Sequence, residues 1–102
     1  MALDQAKIKQ LRGIGHKLKP IVTVSDNGAS DNVINELNRA LDDHELIKVK
    51  FAIDDREARR QMVDEVLAAT GAIAVQSIGK IVLVYRLARK TNRKLSNLHR
   101  LV

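Results

Sequence analysis

Four consecutive residues, Ser25-Asp26-Asn27-Gly28, carry the chain's best chemistry for holding an anion. Asn27 and Gly28 tolerate positive φ and favour a tight turn. Such a turn leaves backbone N–H groups free. Ser30, two residues on, can cap a helix whose N-terminus attracts negative charge. Lys17 and Lys19 stand just before the strand that leads into the turn. A strand, a glycine turn and a helix N-terminus beside basic residues can cradle phosphate. The same local pattern also describes an ordinary strand-to-helix connection.

Other reactive residue types form no comparable constellation. His16, His44 and His99 lie in three separate segments, without a carboxylate or second histidine at metal-ligand spacing. Asp54-Asp55 falls where a helix begins, where an acid caps rather than catalyses. Asp42-Asp43 falls where a helix ends, a mildly unfavourable place for negative charge. Gly13-Ile14-Gly15 precedes a strand, whereas a dinucleotide-binding glycine motif follows one. Gly79-Lys80-Ile81 lacks the hydroxyl of a nucleotide phosphate loop. No nucleophile and base are paired, so the chain is not expected to be an enzyme and no cofactor is implied.

The elements that would position the turn follow from periodicity. The first helix is expected over about residues 4–13, with Leu3, Ile8 and Leu11 facing inward and Gly13 and Gly15 ending it. Pro20 favours extended backbone before it, and Ile21–Val24 reads as a strand. The second helix runs from about Ser30 to Asp42, with Val33, Ile34, Leu37, Ala40 and Leu41 on one face. Ile47–Ile53 alternates like a strand with one wet face carrying Lys48 and Lys50. The third helix spans roughly Arg56 to Thr70, capped by Asp54 or Asp55, with Gly71 at its left-handed end. A hairpin follows, Ala72–Ser77 and Ile81–Arg86, its second strand central or buried on both faces. The order αβαβαββ implies a single α/β domain with one mixed four-stranded sheet packed with helices. Residues 87–102 show only weak periodicity, in Leu87, Leu95, Leu98 and Leu101. They are expected to form a short basic helix or to stay disordered until bound.

Composition narrows the partner. The chain has 102 residues, no cysteine, and only Phe51 and Tyr85 as aromatics. The core must be aliphatic, and disulfides and thiolate metal sites are excluded. No apolar run approaches the ~20 residues of a membrane span and no signal-peptide pattern opens the chain, so a cytoplasmic protein is expected. The net charge is +6. Residues 86–102 hold six of the 18 basic residues and no acid, leaving 12 bases against 12 acids elsewhere. Residues 1–25 carry five bases and one acid; residues 26–47 carry one base and six acids. One basic and one acidic surface suit a polyanion on one side. Small glycine-containing loops clamp the backbone of single-stranded RNA in KH modules. With so few aromatics, backbone and shape contacts must dominate over base stacking.

Several blocks together resemble a known family. They are Arg12 with Leu18-Lys19-Pro20-Ile21-Val22, Asn27-Gly28, His44-Glu45-Leu46-Ile47-Lys48-Val49-Lys50, Arg56-Glu57, Thr70-Gly71-Ala72, Val75-Gln76, Ile78-Gly79-Lys80 and Leu83-Val84-Tyr85-Arg86. In this order they resemble the CRM domain, and more closely the small stand-alone bacterial YhbY-type proteins, over about residues 7–86. The resemblance implies an αβαβαββ fold similar to the C-terminal domain of bacterial initiation factor three. It also implies RNA binding and association with precursors of the large ribosomal subunit. The family's Gly-x-x-Gly loop maps onto Ser25-Asp26-Asn27-Gly28, where Gly28 matches the second glycine and Ser25 replaces the first.

The resulting expectation is a CRM-like RNA-binding domain over residues 1–86 and a basic tail over 87–102. Lys9, Arg12, Lys17 and Lys19 would meet phosphate beside Ser25, Asp26, Asn27 and Gly28. Arg86, Arg89 and Lys90, with Arg93 and Lys94, would add affinity from the tail. The partner would be rRNA in a large-subunit precursor, with no membrane and no small-molecule substrate; the oligomeric state is left open. The alternative is a protein-interaction adaptor docking through Glu36, Asp42 and Asp43 or the Lys48/Lys50 strand.

Overall fold

A computed structural model describes residues 3–98. His99, Arg100 and Leu101 lie outside the described residues. The element order is α1 (Gln5–Gly15), β1 (Pro20–Ser25), α2 (Asp31–His44), β2 (Leu46–Ala52), α3 (Arg56–Thr70), β3 (Ile73–Ile78) and β4 (Ile81–Tyr85). The strands form one sheet in the order β1-β2-β4-β3. β1 runs parallel to β2, while β4 is antiparallel to both β2 and β3. The expected αβαβαββ order and the central position of the last strand both hold.

Each helix starts on a side-chain cap. Asp4, Ser30 and Asp55 accept from the N–H of Lys7, Val33 and Ala58 at 2.7, 3.3 and 2.8 Å. These bonds satisfy amides that a helix start otherwise leaves unpaired. α3 ends on Gly71 at φ 72°, a left-handed residue that glycine adopts without Cβ strain.

The sheet has two unequal faces. α2 and α3 cover one, burying Val22, Val24, Ile47, Val49, Phe51, Val82 and Val84 against Leu37, Leu41 and Val66. α1 covers part of the other, over Leu46, Val75, Leu83 and Tyr85. That partial cover explains β2: Leu46 is buried, Lys48 is half-buried and Lys50 is exposed beyond the reach of α1.

Two expectations are corrected. The first helix does not end at Gly13 but continues through Gly15. Gly15 allows α1 to approach the sheet, because a Cβ there would lie 2.5 Å from Leu83 Cδ2. Gly13 faces open space. Gly13→Ala is therefore expected to stabilise the protein by about 0.5–1 kcal/mol through helix propensity. Gly15→Ala is expected to lose that gain to overpacking of about 1–3 kcal/mol against Leu83. Thermal melts of the two variants check the contrast, and equal melting temperatures would contradict the close approach.

The second correction concerns the tail. Residues 87–98 are neither a helix nor apart from the body; they form an irregular strap laid against it. Leu98 packs against the cluster of Leu11, Leu46, Val75, Leu83 and Tyr85 on the α1 side of the sheet. Asn97 N–H donates to His44 O at 2.9 Å, and its side-chain amide donates to Leu46 O at 2.6 Å. His44 Nδ1 lies 2.8 Å from Leu95 O; a carbonyl only accepts, so Nδ1 carries the proton. These partners lie some 50 residues away in sequence, so local periodicity could not reveal them.

Candidate nucleic-acid interface

The turn forms as its residue types require. Gly28 takes φ 93° and its N–H donates to Ser25 O at 3.0 Å, closing a four-residue turn. Asn27 N–H leans on Ser25 Oγ at 3.4 Å. The side chain of Met62, from α3, lies beneath Gly28. Ser25, Asp26 and Asn27 are exposed, so the loop presents its surface to solvent. It also turns two of its amides on itself and displays a carboxylate. That carboxylate would repel a phosphate at 4 Å by ~1 kcal/mol in water.

The structure does not bring Lys17 and Lys19 to this loop. They precede Pro20, at the start of β1, whereas the loop follows Ser25 at its end. Five strand steps of ~3.3 Å separate the two ends by about 16 Å. Lys19 is instead a neighbour of the strap: it shares a small cleft with Leu18, Ile21, His44, Lys48 and Asn97. Lys9 and Arg12 are exposed on α1, whose buried side meets the sheet face opposite α2 and α3. Arg89 and Lys90 are exposed on the strap beside the C-terminal half of α2, lining a cleft with Asn38 and Asp42. The strap's Arg93 and Lys94 are exposed as well. Among the described residues, no ion pair involves any of these eight cations.

Arg86 sits differently. Its guanidinium turns inward, donating from Nη1 to Asn38 Oδ1 and Thr70 O, both at 2.7 Å. Nη2 donates to Asn38 O at 3.1 Å and Asp42 Oδ1 at 2.9 Å. This one side chain ties the end of β4 to α2 and to the last carbonyl of α3. It also accounts for Asp42 at a helix end, where its charge alone would be unfavourable.

The loop end has cations that sequence analysis did not place at the site. Ser25 pairs with Ala52 and Lys50 with Ile81, so the Gly79–Lys80 turn lies at the same end as the loop. Arg56, Arg59 and Arg60 line a groove there with Val63, Ser77, Gly79 and Val82. Their three- and four-residue spacing is the signal that could have placed them on one helix face. Most of this charge is already engaged. Arg59 donates to Ile53 O, Arg60 pairs with Glu57 and Lys80 pairs with Asp54. The hydrogen bond and charge of Lys80 hold the Asp54 carboxyl below its ordinary value.

Glu45 has a role that its sequence block did not signal. It is fully buried at the junction of α2 and β2 and takes φ 63° with ψ −40°, a sparsely populated conformation that costs a non-glycine residue about 1–3 kcal/mol. Its carboxylate accepts from Ala88 N–H at 2.9 Å, Ser96 Oγ at 2.7 Å and Thr91 Oγ1 at 3.4 Å. Burial raises the Tyr85 hydroxyl above its ordinary value, and the Glu45 charge adds to that shift.

Among the described residues there is no group of three or more His, Cys, Asp or Glu placed to hold a metal. Among them, too, no helix is long and apolar enough to cross a membrane.

Comparison with known proteins shows the family and the fold. The model of the CRS1 / YhbY (CRM) domain matches residues 3–86. A Pseudomonas aeruginosa protein named "Probable RNA-binding protein" is 52% identical over 100 residues, covering 98% of this chain and 96% of its own. A Haemophilus influenzae protein named "RNA-binding protein" is 41% identical over 87 residues, covering 84% of this chain and 88% of its own. The solution structure of the hypothetical protein SAV1595 from Staphylococcus aureus superimposes with a TM-score of 0.72 at 25% identity. The match covers 87% of this chain and 93% of that one.

Proposed function

The chain belongs to the CRS1 / YhbY (CRM) domain family, and from that membership we propose that it binds RNA without catalysis, acting on rRNA in cytoplasmic precursors of the large ribosomal subunit. The observation that carries the RNA reading is a set of exposed cations left without ion pairs. Lys9, Arg12, Lys17 and Lys19 on and after α1, and Arg89, Lys90, Arg93 and Lys94 on the strap, are all exposed and free of ion pairs among the described residues. Charges left unpaired in this way are available to replace the counterions of a phosphate backbone, and release of those counterions drives binding. The Ser25–Gly28 loop, about 16 Å away along β1, is a separate and weaker contact in this reading. In the adaptor alternative a partner would share the exposed Asp42 with Arg86.

Binding of a large-subunit rRNA fragment, followed by fluorescence anisotropy across a salt series, tests the proposal. Lys17→Gln with Lys19→Gln is expected to weaken binding and to lower the log–log salt slope by roughly 0.7–0.9 for each phosphate no longer neutralised. An unchanged slope would remove these lysines from the interface. Co-sedimentation tests the finer claim: the protein should travel with large-subunit precursors in a gradient and leave them after nuclease treatment. Protein found only at the top of the gradient would refute the ribosomal assignment.

A further inference from the structure

We infer that Glu45 is a positioning residue for RNA binding: its buried carboxylate holds residues 87–98 as a fixed arm, so that Arg89, Lys90, Arg93 and Lys94 form a preorganised surface for a phosphate backbone. The inference rests on the RNA reading above and adds the means by which the basic segment engages.

The geometry of Glu45 is unusual for a glutamate. A charged side chain is rarely fully buried without a cationic partner. Glu45 is 0% exposed, and among the described residues no ion pair includes it. It also occupies a positive-φ backbone position at the end of α2, φ 63° with ψ −40°, outside the left-handed helical well and strained for any residue with a Cβ. What compensates it comes entirely from the basic segment: the Ala88 amide and the hydroxyls of Thr91 and Ser96. Ser96 is itself fully buried. The backbone of Glu45 takes part too, its carbonyl accepting from Arg86 N–H at 2.9 Å.

The four cations lie between these anchor points. Arg89 and Lys90 fall between Ala88 and Thr91, and Arg93 and Lys94 between Thr91 and Ser96. Each pair therefore sits on a short span of backbone fixed at both ends, with its side chains exposed. A flexible tail must lose conformational freedom when it binds, whereas an arm already fixed does not. The Asn92 side chain adds local order, accepting from the N–H of Lys94 and Leu95 at 3.1 and 3.3 Å. The arm ends at Asn97, in the cleft that Lys19 also lines, so the array continues toward the cations of the α1–β1 link.

Glu45→Gln provides a test in which charge and position predict opposite signs. The substitution makes the protein one unit more positive, so for a floating basic tail RNA binding should stay equal or tighten. If Glu45 positions the arm, affinity for a labelled hairpin RNA falls, on the order of fivefold to tenfold, while the core remains folded. Amide exchange should show Ala88 and Asn97 losing protection while Val49 and Phe51 keep theirs. Ser96→Ala, which leaves charge unchanged, should act in the same direction with a smaller effect, and serves if Glu45→Gln folds poorly. In a background with Arg89, Lys90, Arg93 and Lys94 all changed to Gln, Glu45→Gln should alter affinity no further. Equal or tighter binding, retained protection at Ala88 and Asn97, or a full effect in the neutralised background would each overturn the inference and leave the RNA reading standing. Absence of salt-dependent binding by the wild type would overturn both.

Discussion

Arg86→Ala is expected to destabilise the protein by about 2–4 kcal/mol while leaving the salt dependence of RNA binding unchanged. The energy comes from groups left unpaired, not from the visible ion pair. Asp42 is 64% exposed on its side chain, and a pair with so exposed a partner contributes little, about 0–1 kcal/mol. The carbonyls of Thr70 and Asn38 are different, since Arg86 reaches them from a side chain only 21% exposed. Thr70 closes α3, where a carbonyl lacks a partner within the helix. Arg86→Lys should recover only part of the loss, because an ammonium cannot place two nitrogens on four acceptors in a planar fork. In a domain of this size the alanine variant should melt roughly 10–20 °C lower. A variant of wild-type stability with a reduced salt slope would instead place Arg86 on the RNA, as its sequence position beside the basic tail suggests.

Deleting residues 87–102 and neutralising the strap are expected to separate two effects that a truncation alone would confuse. Deletion removes the donors to Glu45 and uncovers the surface that Leu98 shields. Leaving a buried carboxylate without partners, with apolar surface newly exposed, should cost about 3–6 kcal/mol. Changing Arg89, Lys90, Arg93 and Lys94 together to Gln touches only exposed side chains. Stability should then hold to within about 1–2 kcal/mol, while affinity at physiological salt falls on the order of 10²-fold if all four meet phosphate. Thermal melts and anisotropy on both variants read the two quantities. A neutralised protein that binds RNA as tightly as the wild type would remove the strap from the interface.

These outcomes separate what the one-dimensional pattern could carry from what it could not. The helices and strands follow from residues close in sequence. Leu37, Ala40 and Leu41 mark a helix face, Ser30 and Asp55 supply caps within one turn, and the alternation through Phe51 marks a strand. Such signals depend on backbone periods that any solvent-exposed protein must respect. The end of the first helix, displaced to Gly15, depended on a contact with Leu83. Glycine lowers helix propensity locally, but the missing side chain was needed to seat the helix on a strand far away in the chain.

The candidate site was legible as a set of residue types and illegible as a place. Lys17, Lys19 and Gly28 are near one another in sequence, yet an extended strand keeps them about 16 Å apart. Arg86 and Arg89 look alike in a basic run, yet one is folded into the body and the other faces solvent. Glu45 stood inside a recognisable block and still gave no hint of its role, since its partners lie more than 40 residues downstream. By itself, then, the sequence determined the order of elements, the aliphatic core, the excess of positive charge and the family, because each follows from local spacing or composition. Only the tertiary structure decided which cations stand together and which are consumed internally, and that residues 87–98 are an anchored arm. Those facts depend on which distant backbone and carboxylate groups each side chain meets, and no local period encodes them.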